Sequence, residues 1–107
     1  LAAIGRGCFV AAGAIVGPGA LLEMGVIVNH GAVVDHDVQL GAFCHVAPNA
    51  TLGGSVRVGQ RVLVGASAVV LPGIVIADDV VVGAGAVVRA PLLSAGTYVG
   101  VPARKIG

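Results

Sequence analysis

The sequence predicts an all-β solenoid of stacked triangular coils, and two superimposed periodicities support this fold class. Every sixth residue from Ile4 to Val88 is Ile, Leu or Val, fifteen consecutive positions without a slip, although only 37 of the 107 residues are of these types. The residue two places before each of them is small or aliphatic throughout. Because side chains two apart on a strand share a face, both rows point inward, and such repetition is typical of a solenoid.

Each six-residue unit is predicted to form a short strand followed by a turn. The strand has two inward residues and one outward residue, and the turn carries Gly, Ala, Asn, Asp, Pro or Ser at most positions. Three units close one 18-residue coil, and coils stacked about 4.8 Å apart bring residues k and k+18 together. We therefore predict five coils over residues 4–93. A helix is excluded, because a period of six does not keep one face of a 3.6-residue spiral.

The repeat ends at Ser94, three residues after Pro91. We divide the chain there into a solenoid domain, residues 1–93, and a C-terminal capping tail, residues 94–107. The Gly and Pro spacing of the tail predicts an extended segment that folds back on the last coil. Its Arg104 and Lys105 are the densest positive charge in the chain, and two interpretations stay open: a solvated tail, or a contact to ligand phosphates.

The composition excludes two classes of partner. The chain is 57% hydrophobic, but its longest uncharged apolar runs, residues 7–22 and 62–77, contain Gly and Pro and fall short of the about 20 residues that span a membrane. We assign this hydrophobicity to the solenoid core and expect no membrane insertion. A net charge of +1, with one Tyr, two Phe and no Trp, provides neither a basic patch nor a stacking platform. We therefore expect no nucleic-acid partner.

The two cysteines are predicted to be free. Cys8 and Cys44 lie in the inward row of one face, 36 residues and therefore two coils apart, or roughly 9.6 Å. A disulfide needs Cα atoms within about 7 Å. Both are expected to be small core residues in a reducing compartment. Since the first repeat starts at once, with no evident signal peptide, we expect a cytoplasmic protein and a fragment cut at a domain boundary.

The outward residues predict self-association. They sort into one mixed face and two apolar ones: Ala3, Leu21, Gln39, Arg57 and Val75; Phe9, Ile27, His45, Leu63 and Val81; Ile15, Val33, Thr51, Val69 and Val87. The β preference of Val explains part of this pattern. Eight large apolar residues on two adjacent faces nevertheless form a patch that is unusual for a monomer.

Polar exceptions to the repeat concentrate in the middle of the chain, at Asn29, His30, Asp35, His36, Asp37, Gln39 and His45. His36 lies in a turn between two carboxylates, and a neighbouring negative charge stabilises imidazolium, which suits a proton acceptor. The residues alone leave a second interpretation open, in which the aspartates cap backbone amides beside an exposed histidine. The three histidines fall at different places around the triangle, so we expect no metal site within one chain.

The segments 29–37 and 41–46, together with 70–73, 77–79 and the Gly-Val-Pro-Ala of residues 100–103, resemble a known family. They are similar to the hexapeptide-repeat acyltransferases, in the branch of the sialic-acid O-acetyltransferases and nucleotide-amino-sugar N-acetyltransferases. The resemblance implies a left-handed parallel β-helix, a handedness that the periodicity alone does not supply. It also implies a homotrimer and acetyl-CoA as cosubstrate, with no metal.

The resemblance assigns roles to particular residues. It implies that His36 is the general base and that Asp37 is the carboxylate that assists it. Here Asp37 stands where Glu is often seen, so the shorter side chain leaves open whether Asp37 or Asp35 reaches the imidazole. Asn29 is expected to bind the substrate.

The expected coenzyme A site uses three further residues. The resemblance implies that His45 lies at the acetyl-CoA thioester and that coenzyme A follows the stacked turns of Ala66 and Ala84. A backbone N–H or His45 is expected to stabilise the oxyanion of the tetrahedral intermediate. Since His36 lies at a corner and His45 on the opposite face, the two are expected to meet only across a subunit interface.

The resemblance predicts direct acetyl transfer to the amine of a nucleotide-linked amino sugar. Members of this branch usually carry an N-terminal αβ domain that holds the nucleotide, and nothing like it occurs in these 107 residues. Two alternatives stay open. One is O-acetylation of a sugar or sialic acid; the other is a non-catalytic scaffold module, which would have no need of the sequence Asp35-His36-Asp37.

Overall fold

The computed structural model describes residues 1–107 and contains seventeen strands and no helix. Most strands have two residues, because each six-residue unit leaves room only for a short strand between tight turns. Their bounds are β1 Ala3–Ile4, β2 Phe9–Val10, β3 Ile15–Val16, β4 Leu21–Leu22, β5 Ile27–Val28, β6 Val33–Val34, β7 Gln39–Leu40, β8 His45–Val46, β9 Thr51–Leu52, β10 Arg57–Val58, β11 Leu63–Val64, β12 Val69–Val70, β13 Val75–Ile76, β14 Val80–Val82, β15 Val87–Val88, β16 Gly96–Val99 and β17 Arg104–Ile106. No segment forms a helix long and apolar enough to cross a membrane.

The strands form three sheets that wrap around one axis. Sheet A has the order β1-β4-β7-β10-β13, sheet B contains β2, β5, β8, β11 and β14 followed by the tail strands, and sheet C has the order β3-β6-β9-β12-β15. The solenoid strands pair in parallel with a register of eighteen residues, as in Ile27↔His45 and Val33↔Thr51. This is the predicted left-handed parallel β-helix, 36 × 22 × 21 Å in extent.

The turns define the three corners of the triangle. We call them corner 1, from sheet A to sheet B; corner 2, from sheet B to sheet C; and corner 3, from sheet C to sheet A. One residue in each of fourteen successive turns has a φ between 54° and 76°. The first five of these positions are Gly, whereas later ones include Asp37, Asn49 and Phe43. Asp and Asn tolerate this left-handed conformation through local hydrogen bonds, and a bulky residue such as Phe does so rarely.

The core is apolar and continuous. The inward rows, together with Leu92 and Tyr98, form one cluster of 26 buried residues, and no charged side chain is buried. The first coil differs from the prediction, since Ile4 is 53% exposed and Val10 38% exposed. Ile4 and Val10 belong to the first coil of residues 1–107, so a neighbouring coil packs on only one side of them. Full burial begins at Ala20 and Leu22, where coils lie on both sides.

Both cysteines are free thiols, Cys44 buried and Cys8 partly buried. The Cys44 thiol donates to the Gly59 carbonyl at 2.9 Å, and burial raises its pKa.

One ion pair stacks along corner 1. The Arg61 guanidinium donates from Nε and Nη2 to both Asp79 oxygens, at 2.7 and 3.0 Å, one coil apart. These hydrogen bonds hold the pKa of Asp79 below its usual value.

Residues 94–107 extend sheet B beyond the last coil. Strand β16 pairs in parallel with β14, and β17 pairs antiparallel with β16. Tyr98 is buried there, and its hydroxyl donates to the Ser94 carbonyl at 2.8 Å. Arg104 and Lys105 are exposed. The division at residue 93 into a domain and a capping tail stays a prediction, as does a phosphate contact by these two cations.

Candidate functional site

The two aspartates beside His36 have different partners. All three residues lie at corner 3, in the turn from β6 to β7, where the His36 and Asp37 side chains are 56% and 64% exposed. Asp37 Oδ2 lies 3.1 Å from Nδ1 of the imidazole. Asp35 Oδ1 instead accepts the backbone N–H of His36 at 2.7 Å. The question that the sequence left open is thereby answered: Asp37 contacts the ring, and Asp35 caps the turn.

This geometry determines which nitrogen of His36 is free. A carboxylate only accepts hydrogen bonds, so Nδ1 carries the proton that it donates to Asp37. In the neutral ring, Nε2 is then the nitrogen with an available lone pair. Nε2 lies over the backbone of Gly54, one coil further on, and the Asp37 carboxylate lies over Gly19, one coil before. The imidazole is therefore oriented by side-chain and backbone contacts, although it is exposed.

His45 and Asn29 form a second pair, which the sequence pattern does not predict. Asn29 Nδ2 donates to His45 Nε2 at 3.2 Å, and Asn29 Oδ1 accepts the backbone N–H of His30 at 2.8 Å. The second bond fixes which end of the amide is the oxygen. Because Nε2 of His45 accepts, Nδ1 carries the proton in the neutral ring and is the free donor. The register contained the signal, since His45 stacks on Ile27, two residues before Asn29.

Ala66 and Ala84 lie at corner 2, directly after sheet B. Both are exposed, and the N–H of Gly85 donates to the Ala66 carbonyl at 2.9 Å, so their turns stack. Asn29 lies at the same corner, two coils before Ala66. The described structure thus brings His45, Asn29, Ala66 and Ala84 to one side of the molecule.

His36 and Asp37 lie on the other side. Corner 3 is the corner opposite sheet B, from which His45 projects, and the packed core fills the space between them. One chain therefore carries two separate half-sites. We call them the base half-site, His36 with Asp37, and the carrier half-site, His45 with Asn29, Ala66 and Ala84.

Neither half-site is a cavity. The largest surface groove, about 570 Å³, runs along corner 1 and is lined by Arg6, Glu23, Met24 and Gln60, among others. It contains none of the residues predicted to be functional, so the groove's size does not identify the site. No cluster of three or more His, Cys, Asp or Glu side chains is arranged to hold a metal ion.

Two family models match the chain, each over about a third of its length. "Bacterial transferase hexapeptide (six repeats)" matches residues 55–90, and "Hexapeptide repeat of succinyl-transferase" matches residues 2–35. No curated protein sequence matches the chain.

Solved structures match almost the entire chain. The acetyltransferase domain of PglB from Neisseria gonorrhoeae is 40% identical, with a TM-score of 0.97; the match covers 98% of this chain and 51% of that one. That domain has also been solved with acetyl coenzyme A. PerB from Caulobacter crescentus, solved with CoA and GDP-perosamine, is 38% identical over 100% of this chain and 57% of its own, with a TM-score of 0.78.

A third match shows the fold alone. AntD, an N-acyltransferase from Bacillus cereus, has a TM-score of 0.90 at 20% identity, over 98% of this chain and 71% of its own. Against PglB and PerB, the present chain spans somewhat more than half the length of the solved chains.

Proposed function

Because the chain belongs to the hexapeptide-repeat acyltransferases, we propose that it transfers the acetyl group of acetyl-CoA to the amine of a nucleotide-linked amino sugar. The observation that carries this proposal is the base half-site, in which Asp37 binds Nδ1 of His36 and leaves Nε2 free. A scaffold has no use for an oriented, exposed imidazole. The 40% identity to an acetyltransferase domain supports the same class of reaction.

The proposed reaction is a direct transfer. His36 Nε2 takes a proton from the amine, whose nitrogen attacks the thioester carbonyl and forms a tetrahedral intermediate. The C–S bond then breaks, the thiolate of coenzyme A leaves, and the proton returns from His36 to sulfur. No covalent enzyme intermediate is required. Asp37 holds the ring in the tautomer that this step needs, and its charge stabilises the imidazolium that forms.

The carrier half-site is proposed to supply the hydrogen-bond donor for the thioester of acetyl-CoA. Nδ1–H of His45 is a free donor and is proposed to bind the thioester oxygen as negative charge develops on it, a contribution worth about 3 kcal/mol in comparable sites. Asn29 keeps that donor correctly oriented by occupying Nε2. A direct substrate contact by Asn29 stays a prediction, and so does coenzyme A binding along Ala66 and Ala84.

We propose that a homotrimer completes the site. The base half-site and the carrier half-site lie on opposite sides of one chain, so they meet only if the first comes from one subunit and the second from its neighbour. The apolar outward faces support such an interface, since Phe9 and Ile15 are each 57% exposed in the single chain. A cytoplasmic location is proposed as well, in keeping with two free cysteines.

The test is acetyl transfer with the full-length protein. Acetyl-CoA is offered with a panel of nucleotide-linked amino sugars and their hydroxyl analogues, and release of the coenzyme A thiol is measured. We expect turnover with an amine that His36→Ala lowers by about 10²- to 10⁴-fold and that the exposed-residue control Gln39→Ala retains. Turnover with hydroxyl acceptors alone would indicate an O-acetyltransferase. Failure of every acceptor, with no binding of acetyl-CoA, would support a scaffold and overturn the proposal.

A further inference from the structure

One turn position carries a side chain in every turn of the solenoid except one. The residue directly before the left-handed position of each turn is, in order, Arg6, Ala12, Pro18, Met24, His30, His36, Ala42, Pro48, Gly54, Gln60, Ala66, Pro72, Asp78 and Ala84. Only Gly54 lacks a Cβ. Its φ is not in the left-handed region, and thirteen other residues satisfy the same turn. The fold therefore does not require glycine at position 54.

The space that a side chain at position 54 would fill is occupied by the imidazole of His36. Residues 36 and 54 are eighteen apart and stack at corner 3. A Cβ on Gly54 would overlap Nε2 of His36, come within 2.6 Å of Cε1 and stand 3.0 Å from Cδ2. The ring thus rests with its Nε2 edge on the Gly54 backbone, while Nδ1 faces Asp37 at 3.1 Å. Nδ1 therefore has a hydrogen-bond partner, whereas Nε2 touches the Gly54 backbone without a hydrogen-bond partner.

We propose that Gly54 is a positioning residue for His36, and that its lack of a side chain is what lets the ring bind Asp37 through Nδ1 while Nε2 remains free. This inference rests on the proposed function only in its catalytic consequence. Any larger residue at position 54 would overlap the imidazole, which then has to rotate about χ1 or χ2 into the open space beside it, since the ring is half-exposed. Rotation lengthens the bond to Asp37 and displaces Nε2 from the acceptor amine, and a misplacement of about 1 Å can cost about a hundredfold in rate.

The decisive variant is Gly54→Ala. Alanine suits the backbone, because the same turn position holds Ala in four other turns, so we expect an unchanged melting temperature. We expect kcat to fall about ten- to a hundredfold while KM for acetyl-CoA stays the same. In the His36→Ala background, Gly54→Ala should have no further effect on kcat. Pro72→Ala, at the same corner and turn position one coil further on, is the matched control and should keep wild-type kcat.

Nuclear magnetic resonance gives a readout independent of activity. In the wild-type protein, we expect an Overhauser contact between His36 Hε1 and the Gly54 Hα protons, and a ring ¹⁵N spectrum with the proton on Nδ1. Gly54→Ala should change that ring spectrum, whereas Pro72→Ala should not.

The outcomes separate this inference from the proposed function. Absence of the Overhauser contact, or an equal fall in kcat in the His36→Ala background, overturns the positioning role. A changed His36 spectrum in Gly54→Ala, in a protein whose wild type transfers no acetyl group, supports the positioning contact and contradicts the proposed function instead.

Discussion

Asp35 and Asp37 have the same side chain and lie on either side of one imidazole, yet only one of them can act on its chemistry. Asp37 has a φ of 59°, in the left-handed region, and its carboxylate turns back over Gly19 and toward Nδ1 of His36. Asp35 is occupied by the backbone N–H of His36. The difference is conformational, and it makes the two residues natural controls for each other.

Removal of the two carboxylates is therefore expected to have unequal effects. Asp37→Asn replaces the acceptor by an amide that can donate to Nδ1, which favours the wrong tautomer, and we expect kcat to fall about tenfold or more. His36→Ala should cost about 10² to 10⁴ in kcat, the usual contribution of a general base, with coenzyme A affinity nearly unchanged. Asp35→Asn should change kcat little. The amide oxygen of Asn accepts the backbone N–H of His36 as the carboxylate does, so the hydrogen bond that caps the turn is kept. Equal losses in Asp35→Asn and Asp37→Asn would contradict the assignment.

The thiols provide a second prediction. Burial raises the pKa of Cys44 above its usual 9.0, so at pH 8 the reactive thiolate is scarcer than in an exposed cysteine, and the buried sulfur is also shielded. We expect Cys44 in the native protein to resist a thiol reagent while the partly buried Cys8 reacts. After denaturation without reductant, both should titrate. Recovery of a bond between Cys8 and Cys44 would disprove the eighteen-residue stacking.

At the scale of the strand, the sequence was sufficient, because a period of six leaves one way to bury two residues in every unit. The inward rows, the three outward faces and the eighteen-residue register all agree with the observed pairing. The register places His45 near Asn29, but their hydrogen bond is not predicted by the sequence, because it depends on the rotamer of an outward side chain. The choice between Asp35 and Asp37 depends on the left-handed φ of Asp37, which the sequence does not specify. Gly54 carries no signal in the sequence, because it is one glycine among eighteen, and its role becomes visible only when residue 36 is stacked on it.

The inward rows should not tolerate charge. Val46 is completely buried in β8, and an unpaired carboxylate there costs several kcal/mol against a total stability of about 5 to 15 kcal/mol. We expect Val46→Asp to be insoluble on expression. Gln39→Asp places the same group on an exposed outward position of the neighbouring strand β7 and should remain soluble. A folded, soluble Val46→Asp protein would refute the inward assignment of this row.

At the scale of the molecule, sheets B and C leave apolar side chains that one chain does not cover. Phe9, Ile15 and Leu63 are all exposed there, whereas sheet A is mixed, with exposed Gln39 and Arg57 beside its apolar residues. We therefore predict a homotrimer with threefold symmetry, measurable by light scattering or sedimentation. A monodisperse monomer at micromolar concentration would contradict the trimer and, with it, every model in which the active site lies between subunits.

The last prediction joins assembly to chemistry. If each site takes His36 and Asp37 from one subunit and His45 with the Ala66 and Ala84 turns from its neighbour, the variants His36→Ala and His45→Ala are defective in complementary halves. His45→Ala should weaken coenzyme A binding as well as turnover. Each variant alone is nearly inactive, but each supplies what the other lacks.

Exchange of subunits between the two variants should therefore restore activity. In randomly mixed trimers, about a quarter of the interfaces pair an intact His36 with an intact His45, so recovery of up to about a quarter of wild-type activity is expected. The time course of recovery should follow subunit exchange, measured in parallel by energy transfer between labelled subunits. Each variant taken alone through the same exchange procedure is the control and should stay inactive. If exchange is complete and the mixed protein is still inactive, the two half-sites do not meet across an interface.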